Sequence, residues 1–145
     1  MTLDDLARQA HFSAQGLLDC ALDAVRDRAS ESGKLNPDKM EAEQHAVHGL
    51  AWLATYVEAI KEMAGYAQRM SEEGRFGETE QLLTRIGFGE YLTQMFNGIP
   101  MNQGEILRLA DFGLGPQDIE PFRNEVIEGL IADGATRENR AVLAA

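Results

Sequence analysis

The chain reads as all-α: an up-down bundle of four main helices, with a long crossover between helices three and four and a short C-terminal helix. Apolar residues recur at three- and four-residue spacing through most of its 145 residues, the mark of helices that bury one face. Capping and terminating residues punctuate those runs. No stretch shows the alternation of a strand, and a single domain spanning residues 1–145 is expected.

Helix one is expected from about residue 3 to residue 30. Thr2 with Asp5 forms a capping-box pattern, with Asp standing in for the usual Glu. Leu3, Leu6, Ala7, Ala10, Ala14, Leu17, Leu18, Ala21, Leu22 and Val25 then continue one face. Ser13 could cap a second segment after a break at Phe12. Ser30-Glu31-Ser32-Gly33 ends the helix, and the next cap at Asn36 makes the connection short and the neighbour antiparallel.

Helix two opens on Asn36-Pro37, a capping residue followed by proline at the first helical position. It is expected to run to Met70, roughly 50 Å if unbroken. Its stripe is Met40, Val47, Leu50, Ala51, Ala54, Val57, Ala64 and Met70, with Leu53, Tyr56, Ile60, Met63 and Ala67 beside it. Gly49 and Gly65 interrupt it; each costs roughly 1 kcal/mol against alanine, which predicts close approach of another backbone. Ser71-Glu72-Glu73-Gly74 closes the helix.

Helix three is expected from near Phe76 to Asn97-Gly98, with a kink or tight crossing at Gly87-Phe88-Gly89. Residues 99–115 follow neither period, yet Ile99, Met101, Ile106, Leu107, Leu109, Phe112 and Leu114 make them apolar. Such a crossover must lie against this bundle or against another surface. Helix four is expected over about 117–132, with Pro116 and Pro121 in first turns and Asp133-Gly134 as the stop. Thr136 caps a last helix through Leu143, and the missing terminator at Ala144-Ala145 is read as the mark of a chain that once continued.

Thirteen Lys and Arg stand against 24 Asp and Glu, a net charge of −11. Nucleic acid and anionic membranes are therefore poor partners. Acids at the N-terminus do not make a signal peptide, and no apolar run approaches the ~20 residues of a membrane span. A lone cysteine, Cys20, cannot form an intrachain disulfide and fits a reducing, cytoplasmic setting. Between Leu17, Leu18 and Ala21 it reads as a small buried hydrophobe.

Few residues suggest chemistry. Glu41, His45 and His48 could share one helix face and hold a metal. A di-iron bundle, however, needs Glu-x-x-His on two helices, and no such motif is present, so no metal ligand is assigned. Trp52 and Tyr56, one turn apart, read as core or interface packing ahead of a ligand stack. The Gly-x-Gly pairs at 87–89 and 113–115 are too short for a phosphate cradle. His11 with Ser13 lacks a third partner for nucleophilic catalysis.

Four runs carry a resemblance: His48-Gly-Leu-Ala-Trp-Leu-Ala-Thr-Tyr-Val-Glu-Ala-Ile60, Glu73-Gly-Arg-Phe-Gly-Glu-Thr-Glu80, Ile86-Gly-Phe-Gly-Glu-Tyr-Leu92 and Gly98-Ile-Pro-Met-Asn-Gln-Gly-Glu-Ile106. They resemble the amino-terminal extension of a subset of bacterial acyl-CoA dehydrogenases, over residues 3–132 and most densely over 45–110. That family uses FAD and a glutamate base to remove hydrogens across the α,β-carbons of a CoA thioester. The resemblance implies a non-catalytic accessory domain, because the flavin-binding segments, the β-rich middle domain and the glutamate's setting have no counterpart here. No catalytic or cofactor residue is carried over; FAD is expected in the parent enzyme only. The implied partners are that enzyme's catalytic domain or a second subunit, with a homo-oligomer expected. Docking is expected through Trp52, Tyr56, Phe88, Tyr91, Ile99 and Met101. Two other readings are a free-standing module that self-associates along helix two, and a small-ligand or metal-binding bundle using Trp52, Tyr56, His45 and His48.

Overall fold

The structure, a computed structural model, describes all 145 residues. Helix α1 (Leu3–Arg28) is followed by a hairpin of strands β1 (Ser30–Glu31) and β2 (Lys34–Leu35), then α2 (Pro37–Ala42), α3 (Gln44–Glu72) and α4 (Glu78–Asn97). A second hairpin of β3 (Ile99–Pro100) and β4 (Ile106–Leu107) leads through a 3-10 turn at Leu109–Phe112 to α5 (Pro116–Ile119), α6 (Glu125–Asp133) and α7 (Arg137–Ala144). Helices α1, α3, α4 and α6 pack in a ring, each against the next. This is the expected mostly helical bundle.

The local signals account for most of these elements. Asp5 N donates to Thr2 Oγ1 at 3.4 Å, and Thr2 N donates back to the Asp5 carboxylate at 3.3 Å, the reciprocal capping box. Helix α1 runs unbroken through Ser13, whose hydroxyl instead accepts from Asn124 Nδ2 at 2.9 Å and ties α1 to the start of α6. The segment read as a helix terminator is a hairpin: Ser30 pairs with Leu35 and Glu31 with Lys34. Ser32 and Gly33 turn it at φ of 50° and 76°, the two left-handed residues that a tight hairpin needs.

The long second helix is broken at Glu43. Asn36 caps as expected, its side chain accepting from Lys39 N at 3.0 Å, but the helix it starts ends after six residues and buries none of them. At the break, Glu43 reaches Arg28 at 3.0 Å, joining the end of α1 to the start of α3. Helix four is also two pieces. A proline inside a helix loses a backbone hydrogen bond, and at Pro121 the chain turns out of α5. Phe122 folds onto α1 at Gly16, where an added Cβ would stand 2.6 Å from its ring, and Asn124 caps α6.

The core is one continuous cluster from α1, α3, α4, α6 and the crossover, with Leu17, Leu53, Ile60, Phe88, Leu92, Phe112 and Ile127 fully enclosed. Helix α6 has nine residues against 26 in α1, about 14 Å against about 39 Å. The fourth position of the bundle is thus only part-filled by helix. Leu107, Leu109, Phe112 and Leu114 of the crossover are buried in the same core. Gly49 of α3 lies under the Leu107 and Phe112 side chains, so it makes room for the crossover and not, as expected, for another backbone. Arg28 fastens this segment through Nη2 to the Asp111 carbonyl at 3.2 Å. The tight crossing expected near Gly87-Phe88-Gly89 is at Gly89, where a Cβ would meet Ala135 N at 2.5 Å and the Gly134 backbone at 3.0 Å.

Candidate docking surface

Phe88 and Ile99 leave the expected docking set. They are 0% and 1% exposed, packed inside this chain's own core. Helix α4 is apolar on several sides, and Phe88 lies on the side that meets the bundle centre. Ile99 opens the crossover hairpin, paired with Leu107, which is buried with it.

Trp52, Tyr56, Tyr91 and Met101 remain at the surface or half-buried over the core, along the seam between α3, α4 and the crossover. Tyr56 and Tyr91 pack across that seam with ring centroids 5.0 Å apart and planes tilted by 53°, a favoured aromatic geometry. The Tyr56 hydroxyl donates to the side-chain carbonyl of Gln94 on α4. Burial, with Tyr91 beside it, raises the Tyr56 phenol above its ordinary pKa, so it stays a neutral donor at physiological pH. One turn earlier, Trp52 Nε1 donates to His48 Nε2 at 3.2 Å. These bonds fix two large side chains whose polar tips are already satisfied, and Tyr91 is 36% exposed beside them. Rigid aromatic surface of this kind loses little side-chain freedom when covered.

The metal candidates are dispersed. Glu41 belongs to α2, beyond the break at Glu43, so it no longer stands one helical turn below His45. His48 Nε2 is occupied by the Trp52 indole, and His45 Nε2 lies 3.4 Å from the Asp111 carboxylate. No three His, Cys, Asp or Glu side chains gather in a metal-holding group. A surface cleft of about 680 Å³ beside α5 is lined by Phe96, Pro116, Gln117, Ile119, Glu120 and Arg123. Its single cation, Arg123, lies 5.7 Å from the Phe96 ring centroid and is paired with Glu128, so no unneutralised positive charge faces a ligand there. Cys20, expected to be buried among its apolar neighbours, is only half-buried; burial first, then Asp118 and Asp23, raises its thiol pKa.

A second apolar groove was not singled out from sequence. It lies farther along the α3–α4 seam, about 440 Å³ between Glu62, Met63, Tyr66 and Arg69 of α3 and Leu83 and Thr84 of α4. Leu83 is 48% exposed. The run Gln81-Leu82-Leu83-Thr84 carries two adjacent leucines, and Leu83 is the one left on the surface.

No helix is long and apolar enough to cross a membrane. No protein-family model matches the chain. It is 42% identical over 140 residues to (2S)-methylsuccinyl-CoA dehydrogenase of Cereibacter sphaeroides, a match covering 97% of this chain. The same match covers 25% of that enzyme, so the chain spans about a quarter of the length of the relative it matches.

Proposed function

We propose that this chain is a non-catalytic helical domain of an acyl-CoA dehydrogenase-type flavoenzyme, placed ahead of the catalytic body in a cytoplasmic protein. The observation that carries the reading is 42% identity along nearly the whole chain to a quarter of such an enzyme. The parent reaction is the α,β-dehydrogenation of a CoA thioester with FAD, and flavin and base belong to the remaining parts of the parent. Trp52, Tyr56, Tyr91 and Met101 form the surface that docks on the catalytic body or a second subunit. Covering them removes apolar area from water at about 25 cal/mol per Å², concentrated in the aromatic anchors.

The chemistry of the seam supports the division of labour. Its hydrogen-bonding tips are paired internally, through Tyr56 with Gln94 and Trp52 with His48, leaving apolar edges to meet a partner. The test is the purified 145-residue chain, incubated with FAD and a panel of CoA thioesters plus an artificial electron acceptor. The expected result is a folded, helical protein that retains no flavin after desalting and reduces no acceptor. Retained flavin or thioester-dependent reduction would overturn the proposal.

A further inference from the structure

Gly65 is set apart from the other glycines inside the three long helices. Cβ atoms added at Gly16, Gly49, Gly87 and Gly89 would collide with Phe122, Leu107, Met63 and the backbone of residues 134–135, respectively, so each makes room for a neighbour. At Gly65 the only atom within 4 Å is the tip of its own helix's Arg69, at 3.3 Å. A mid-helix glycine costs roughly 1 kcal/mol against alanine, and in this chain only the flexible Arg69 side chain lies over the space. Gly65 adjoins Tyr66 and lies one helical turn from Glu62 and from Arg69, the charged rim of the groove that Met63, Tyr66 and Leu83 line. Neither Glu62 nor Arg69 has an ion-pair partner in the chain, although Glu58 on the same helix pairs with Lys61, and Glu73, just past its end, with Arg75.

We propose that a second copy of this chain covers the groove, with the two α3 helices crossing antiparallel at Gly65. A twofold axis there makes the contact self-complementary. Glu62 and Arg69 lie symmetrically about the Gly65–Tyr66 link, so an antiparallel crossing sets Glu62 of each copy against Arg69 of the other. Two ion pairs then flank an apolar centre of Tyr66, Met63 and Leu83, and the missing side chain at position 65 lets the helix backbones approach. A basic partner would answer the overall charge of −11, but the rim carries one charge of each sign, which a copy of itself matches. The remote like charges of the two copies oppose association at low ionic strength and are screened within about 10 Å at 0.1 M salt.

Sedimentation velocity on the 145-residue chain at 0.15 M salt across a wide concentration range tests this. The expected result is a monomer–dimer equilibrium. Arg69→Glu is expected to weaken it by about tenfold or more, by replacing two attractions with two repulsions, and Glu62→Arg combined with Arg69→Glu to restore it. Gly65→Leu is expected to abolish the dimer while leaving the thermal midpoint of the monomer unchanged or higher, since leucine is the better helix former. Leu35→Glu, on the remote β1–β2 hairpin, is expected to change nothing. A chain monomeric at every concentration would overturn the proposal, as would an unchanged dimer in Gly65→Leu or a charge swap that fails to restore association. None of these results bears on whether the domain binds flavin, so failure here is separable from failure of the proposed function.

Discussion

At the scale of single residues, the most consequential contact is Gly89 of α4 against Ala135 and Gly134 at the corner between α6 and α7. Because the atoms met are backbone, a side chain at 89 has nowhere to go; Gly89→Ala is expected to destabilise by about 1–3 kcal/mol, read from urea denaturation. Gly65→Ala, by contrast, is expected to leave the monomer unchanged or to stabilise it by up to about 1 kcal/mol. Cys20 gives a chemical test. Burial and the carboxylates of Asp118 and Asp23 raise the thiol pKa, and only the thiolate is the nucleophile. Alkylation with iodoacetamide at pH 8 should therefore run slower than for a cysteine in an unstructured peptide and approach that rate on unfolding in urea. The apolar neighbours of Cys20 were visible in sequence. The carboxylate of Asp118 was not, because it reaches Cys20 only through the packing of the α5 region on α1.

At the scale of elements, helices were legible where capping chemistry and apolar period coincide. Thr2, Asn36 and Thr136 all cap as their types imply. Breaks inside the helices were not legible, because they answer to distant partners: Glu43 turns the chain where Arg28 waits at 3.0 Å, and Phe122 turns it where Gly16 leaves space. The hairpins escaped notice because two-residue strands show no measurable alternation. The crossover is where irregular backbone does the packing of a helix, so its residues carry core-like energies. Phe112→Ala is expected to cost about 3–5 kcal/mol, with loss of the Arg28–Asp111 tie, measured as a fall in urea midpoint and faster hydrogen exchange over residues 105–115.

At the scale of the whole molecule, all-α architecture followed from composition and period, but the docking surface was only half readable. Helix α4 carries Leu82, Leu83, Ile86, Phe88, Tyr91, Leu92, Met95 and Phe96 around much of its circumference, so its apolar residues do not declare which face is buried. Phe88 proves interior and Tyr91 exterior, while Leu83 surfaces beside a groove unnoticed in the linear pattern. Tyr91→Glu should leave the thermal midpoint of the isolated chain within about 1 kcal/mol in stability, yet weaken docking in a longer enzyme, a split readable by melting and by limited proteolysis at the domain junction. The intact mass of the protein produced from its own gene, measured together with its bound flavin, tests the domain reading most directly. The expected result is a polypeptide roughly four times the length of this chain, as in the relative, carrying FAD. A product of 145 residues that by itself dehydrogenates a CoA thioester would contradict it.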